Sequence, residues 1–84
     1  MVKRLREAEE IRVTANVAGV PVSFARNGRR EKVAAIYERW CISDEWWGEK
    51  VERNYFRIKA SAGLVCDIYH DTLAKRWYLD RIHD

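Results

Sequence analysis

The chain predicts an all-β domain: a single small antiparallel sheet of about six strands, curled into a barrel or half-barrel. Three observations carry this. Apolar and polar residues alternate with a period of two, as in Ile11, Val13, Ala15 and Val17 against Arg12, Thr14 and Asn16, which is the signature of a half-buried strand. Turn chemistry separates the alternating runs at Ala18-Gly19, Asn27-Gly28 and Ser61-Ala62-Gly63, with Gly or Asn where the backbone needs positive φ. No clear long helix interrupts the runs, and short twisted strands curl into closed or half-closed sheets.

Each element follows from local pattern. Residues 1–10 are charged and show only Leu5 and Ala8 as an apolar face, so they read as a leader, frayed or one helical turn, with 11–84 as the single β domain. Ile11–Val17 is the first strand. Val20, Val22 and Phe24 alternate next, and Pro21, which cannot donate to a ladder, places Val20–Ala25 at a sheet edge. Asn27-Gly28 between two alternating runs makes a hairpin. Glu31–Cys41 follows as a strand. Its stretch Val33-Ala34-Ala35-Ile36-Tyr37 is apolar on both faces, which suggests a central position, with a short helix as the competing assignment. Ser43–Lys50 reads as a loop. Val51–Ala60 alternates again, with Phe56, Ile58 and Ala60 opposite Arg53, Tyr55, Arg57 and Lys59. Ser61-Ala62-Gly63 is a three-residue hairpin loop, Leu64–His70 the fifth strand, Asp71–Lys75 a turn and Arg76–Ile82 the sixth strand. Trp77 is expected in the core beside Phe56 and Ile58.

Composition bounds the function. At 84 residues, such a chain buries only about 60–65% of its unfolded surface, which leaves room for a binding site and little for a deep catalytic cleft. Sixteen Lys and Arg, eleven of them Arg, stand against thirteen Asp and Glu. The net charge of +3 and pI of about 9.1 make nucleic-acid binding worth testing, yet suit an ordinary mixed surface as well. No apolar run approaches the ~20 residues that span a membrane. The basic start Met1–Arg6 is followed by no hydrophobic stretch, so a signal peptide is not expected and the default compartment is the cytoplasm. Cys41 and Cys66 lack CxxC spacing and read as buried small hydrophobes rather than a disulfide. With His70 and His83 they are too dispersed to seed a metal site, and no metal or cofactor is expected. Catalysis finds no support either: the glycines stand singly, the serines lack an elbow motif, and His70 beside Asp67 and Asp71 reads as turn chemistry.

Two constellations are candidates for binding. The stretch from Trp40 to Glu49 carries Trp46-Trp47 among Asp44, Glu45 and Glu49. Exposed indoles would recognise a partner; folded back, they would plug an open barrel end. The three carboxylates would repel a phosphate backbone. The second candidate is the polar face of the fourth strand, where Arg53, Tyr55, Arg57 and Lys59 project together. Interleaved Arg and Tyr suit base stacking and phosphate tracking, or form a plain solvated face.

The pattern Trp40, Trp46-Trp47, Arg53-Asn54-Tyr55-Phe56-Arg57-Ile58, Gly63-Leu64, Asp67, Trp77-Tyr78 and Asp84 resembles a small bacterial domain of unknown function. That domain occurs as stand-alone short proteins and as the C-terminal extension of ImuB, a Y-family DNA polymerase homologue. The resemblance spans roughly residues 18 to 84, with Val20-Pro21-Val22 matching a short Pro-containing strand. It implies a non-catalytic, interaction-type role in translesion DNA repair. These residues hold no polymerase domain and no clamp-binding tail, so the link to repair comes from the domain's company.

The expectation is therefore a bacterial, non-enzymatic interaction module with a protein partner. The alternative is a single-stranded nucleic-acid binder using the Arg/Tyr face. A third reading is a peptide or small-molecule cleft under Trp46-Trp47.

Overall fold

In the computed structural model of the chain, the alternating runs become β1 (Val2–Ala15), β2 (Pro21–Arg26), β3 (Arg29–Trp46), β4 (Glu49–Ala60), β5 (Val65–Asp71) and β6 (Arg76–His83). The structure describes residues 2–83, and the side chains of all of these but 2–7 and 46. Every strand pairs antiparallel with its sequence neighbours, and β1 pairs back onto β6, so the sheet closes into a ring. Among the described residues no helix is present that is long and apolar enough to cross a membrane.

Ile11, Phe24, Phe56, Ile58, Ala60, Cys66, Ile68 and Leu79 fill the inside of the ring. They come from alternate positions of β1, β2, β4, β5 and β6, because successive side chains of a strand point to opposite faces. Each large apolar side chain buried this way contributes roughly 1.5–3 kcal/mol. Trp77 packs at the margin of this core, half-buried, with its ring 5.7 Å from Phe56.

Turn chemistry explains most of the connections. Asn16 Oδ1 accepts the N–H groups of Ala18 and Val20 and organises the turn into β2. Asn27 and Gly28 both have positive φ (51° and 75°), the two-residue hairpin geometry expected of Asn-Gly. Ser61-Ala62-Gly63 is closed by the bond from Ala60 N–H to Leu64 O, with Gly63 at φ 101°. Asp71 Oδ1 accepts from Leu73 and Ala74 N–H, so this carboxylate serves the turn into β6.

Four expectations need correction. Residues 2–10 are strand, not a frayed leader or helical turn; their backbone pairs with β6 through Val2↔His83 and Glu10↔Tyr78, and closing the ring supplies the hydrogen bonds that an isolated charged segment lacks. β2 is no edge strand, since it pairs with both β1 and β3; Pro21 is tolerated because it opens the strand. Ser43–Lys50 is no loop. β3 and β4 continue through it to Trp46↔Glu49 and turn at Trp47-Gly48, where both residues have positive φ (53° and 81°). Finally, Glu31–Cys41 is strand rather than helix, but β3 is not central throughout. It pairs with β2 over Arg29–Lys32 and with β4 from Val33 on. Beyond Val33 no second strand pairs with it among the described residues, and Ala34 and Tyr37 are exposed. Register shifts at Val33/Ala35 and Ile36/Glu38 bend this edge, as bulges do.

Both cysteines are free; Cys66 is buried, as expected, while Cys41 is exposed because β3 lacks cover there. Burial pushes the Cys66 thiol up to about 12. In the native protein at pH 8 a disulfide-exchange reagent should therefore titrate one thiol, and two after denaturation. The unfolded chain ionises Cys66 near its ordinary value, so its contribution to stability is complete below about pH 8.5 and declines as pH rises toward 12. Denaturant midpoints of wild type and Cys66→Ala measured from pH 7 to 10.5 should converge as pH rises.

Candidate binding surface

The pairing of β4 with β3 and β5 builds the outer face on which the sequence places Arg53, Tyr55, Arg57 and Lys59. Tyr55 stands opposite Trp40 on β3 and Tyr69 on β5, and Tyr69 opposite Tyr78 on β6. The rings follow each other at 5.2, 4.8 and 5.2 Å between centroids. Trp40 and Tyr55 lie within 9° of parallel. Cross-strand aromatic pairs contribute about 0.5–1.5 kcal/mol each beyond their area, so this row of four rings clamps four strands in register.

Beside it runs a charged row. Glu38 pairs in register with Arg57, Arg57 with Asp67, and Asp67 with Arg81. Asp67 is 1% exposed. Arg57 donates to both its oxygens, Nε to Oδ1 at 2.8 Å and Nη2 to Oδ2 at 3.2 Å. His83 Nε2 lies 3.0 Å from Oδ1. Burial works to raise the Asp67 pKa, but the Arg57 fork and His83 outweigh it and hold the carboxyl below its ordinary value. The Asp67 bonds dominate at Arg57 and hold its guanidinium above its ordinary value. Trp40, Ile42, Tyr55, Arg57, Asp67, Asp80 and Arg81 surround a cleft of about 210 Å³ on this face.

The fourth-strand candidates thus meet unequal fates. Tyr55 is 5% exposed between Trp40 and Tyr69, so the expected open stacking surface is already taken. Arg53 lies over the Tyr69 ring at 4.7 Å and donates to the Tyr55 hydroxyl at 3.3 Å. Arg57 is tied to Asp67 and sits 5.6 Å over Trp40. Lys59, farther along, stays exposed. Trp47 stands apart from the aromatic row, at the tip of the β3–β4 hairpin, and the backbone of Trp46 ends β3 beside it; the Trp46 side chain lies outside the described ones. At the tip Trp47 is 86% exposed, so it is no plug. The sequence reading missed Trp40, Asp67, Tyr69, Tyr78 and Arg81 as members of one surface.

Groups for chemistry do not converge. His70 stacks on Trp77 at 4.7 Å, on the other face of the sheet from Asp67. Among the described residues no group of three His, Cys, Asp or Glu is placed to hold a metal ion. The arrangement can hold a register and present edges and tips to a partner.

The model of a family described as a domain of unknown function (DUF6504) matches residues 1–84, and the chain belongs to that family. No curated protein and no solved structure matches it.

Replacing Asp67 leaves the Arg57 guanidinium without its fork. Asp67→Asn should cost about 1.5–3 kcal/mol at pH 7, as expected for hydrogen bonds to a charged group. The lowered pKa makes this stabilisation complete above the ordinary carboxylate value of about 3.9 and lost as pH falls through the folded value. Urea melts of both proteins should differ at pH 7 and approach each other below pH 3.

Proposed function

We propose that the chain is a non-enzymatic protein-interaction module whose principal contact is the Trp47 tip of the β3–β4 hairpin. One observation carries the reading. Trp47 combines 86% exposure with a left-handed backbone, φ 53°. That conformation costs a non-glycine residue roughly 1–2 kcal/mol, and bulky residues rarely adopt it. A strained indole held out in solvent suits recognition better than folding, and Trp is the residue most enriched among interface hot spots.

The surroundings indicate the partner's chemistry. Asp44, Glu45 and Glu49 flank the tip and are exposed. The fitting partner is a protein with an apolar pocket rimmed by Lys and Arg, since complementary charge steers encounter and excludes wrong partners. The exposed Ile42, at 41%, extends the apolar contact along β3. The resemblance to the C-terminal extension of ImuB supports the same class: a cytoplasmic bacterial module that docks components of translesion repair.

Binders selected by display from the source organism's proteome should lose at least about 30-fold in affinity for Trp47→Ala, the equivalent of a 2 kcal/mol hot spot. Asp44→Lys with Glu49→Lys should slow association. Trp47→Asn, better suited to positive φ, should bind as poorly as Trp47→Ala while melting no lower than wild type. Binders indifferent to all three changes would remove the tip from the proposal.

A further inference from the structure

The arginines that sequence pattern points to on β4 are occupied, but others are not. On the outer face of β1, β2 and β3, register places Arg12 and Arg30 on either side of Ala25. One step along, it places Thr14 and Lys32 on either side of Ser23. Arg12, Thr14, Arg30 and Lys32 are exposed, with Ala25 and Ser23 half-buried between them. The result is a trough: small side chains on the middle strand, cations and a hydroxyl on the flanks. Neighbouring strands lie about 4.8 Å apart, so the flanks stand about 10 Å apart.

The charges in this trough are uncompensated. The groove running past it, about 630 Å³, is lined by Glu9, Glu10, Arg12, Ala25, Arg26 and Arg30 among others. Its acids are taken: Glu9 by Arg26 at 2.9 Å and Glu10 by Arg76 at 3.4 Å. Glu31 lies on the opposite face of β3 from Arg30 and Lys32. Arg12, Arg30 and Lys32 have no ion-pair partner among the described residues. Exposed cations gathered on one face without carboxylate partners suit a polyanion.

We infer that this trough is a binding site for the phosphodiester backbone of single-stranded nucleic acid. Arg12, Arg30 and Lys32 meet phosphates, while Thr14 and Ser23 donate hydroxyl hydrogen bonds to their oxygens. The two-residue repeat of a strand, about 6.7 Å, suits successive phosphates of an extended strand lying along β2. With no aromatic side chain on the trough floor, the site reads backbone and not sequence. The site is separate from the Trp47 tip, and either stands if the other fails.

The test is anisotropy of a fluorescent twelve-nucleotide oligothymidylate with the full chain at 20 and 150 mM salt. Three phosphate contacts to a single strand give a log–log salt slope near −2. Arg12→Glu with Arg30→Glu should lower affinity at least about 30-fold, and Lys59→Glu on the β4 face should change it less than about threefold. Circular dichroism checks that each variant folds. Should the double reversal not fold, Arg12→Gln with Arg30→Gln takes its place, with a loss of about tenfold expected. No binding at 20 mM salt, equal binding by the trough variants and wild type, or tighter binding of a duplex of the same length would each overturn the assignment.

Discussion

The register of β4 on β5 is the constraint on which the rest of the structure depends. Phe56 opposite Ile68 and Ile58 opposite Cys66 fill the inside, while Tyr55 opposite Tyr69 and Arg57 opposite Asp67 close the outside. A slip of one residue would exchange the two sets, bringing Arg57 and Asp67 into the core. Such register control matters in a ring this small. Among the described residues its core cluster has eight buried members, with partly buried apolar residues such as Val13 and Ile36 packed against them, and a domain of this length is marginal on one core alone. Burial on the second face, through Tyr55, Asp67 and Tyr69, makes up part of that deficit. The Arg57–Asp67 fork is what makes a polar group acceptable there, since an unpaired buried carboxylate would be costly.

That double closure decides where function resides. On β4 and β5 the arginines and tyrosines serve one another: Arg53 over Tyr69, Arg57 on Asp67, Tyr55 between two rings. A side chain whose stacking faces and hydrogen bonds are already filled has little left to offer a ligand. Exposed chemistry collects elsewhere, as the Trp47 side chain on a left-handed backbone at the hairpin tip and as cations on β1 and β3 that have no ion-pair partner among the described residues.

Much of this was legible in the sequence, and hairpin arithmetic shows how much more could have been. The Ser61-Ala62-Gly63 turn was identified from its residues. Reflecting the chain through Ala62 carries Tyr55 onto Tyr69 and Arg57 onto Asp67, the pairs observed. The four-residue turn after Asp71 likewise carries Tyr69 onto Tyr78. Trp40 was out of reach for a physical reason. Its partner is set by the Trp47-Gly48 turn, and Trp is not among the residues that tolerate the first position of such a hairpin, where Asn and Asp prevail. Ser43, Asp44 and Glu45 are poor strand formers as well, so the segment reads as loop. The first ten residues read as a leader for a related reason: their partner is β6, about seventy residues away in sequence, and no local pattern reports so distant a partner. Tyr55 reads as exposed from the sequence because alternation gives the face of a strand, but not what covers that face.

β3 ties the two proposed surfaces together. Its first four residues pair with β2 beside the basic trough, and its last residue enters the acidic hairpin tip. Eighteen residues at about 3.3 Å each give a contour near 60 Å, longer than the 40 Å greatest extent of the molecule. The strand must therefore bend, and the register shifts at Val33/Ala35 and Ile36/Glu38 lie between the two surfaces. The bend permits one strand to leave the β2 side of the ring, join β4 and carry the tip beyond the part of the sheet that β5 covers. It also separates a cationic site from an anionic one by more than a Debye length, about 8 Å at physiological salt. Neither field then cancels the other, so a phosphate chain at the trough and a basic partner at the tip can be held together on 84 residues without competing for the same surface.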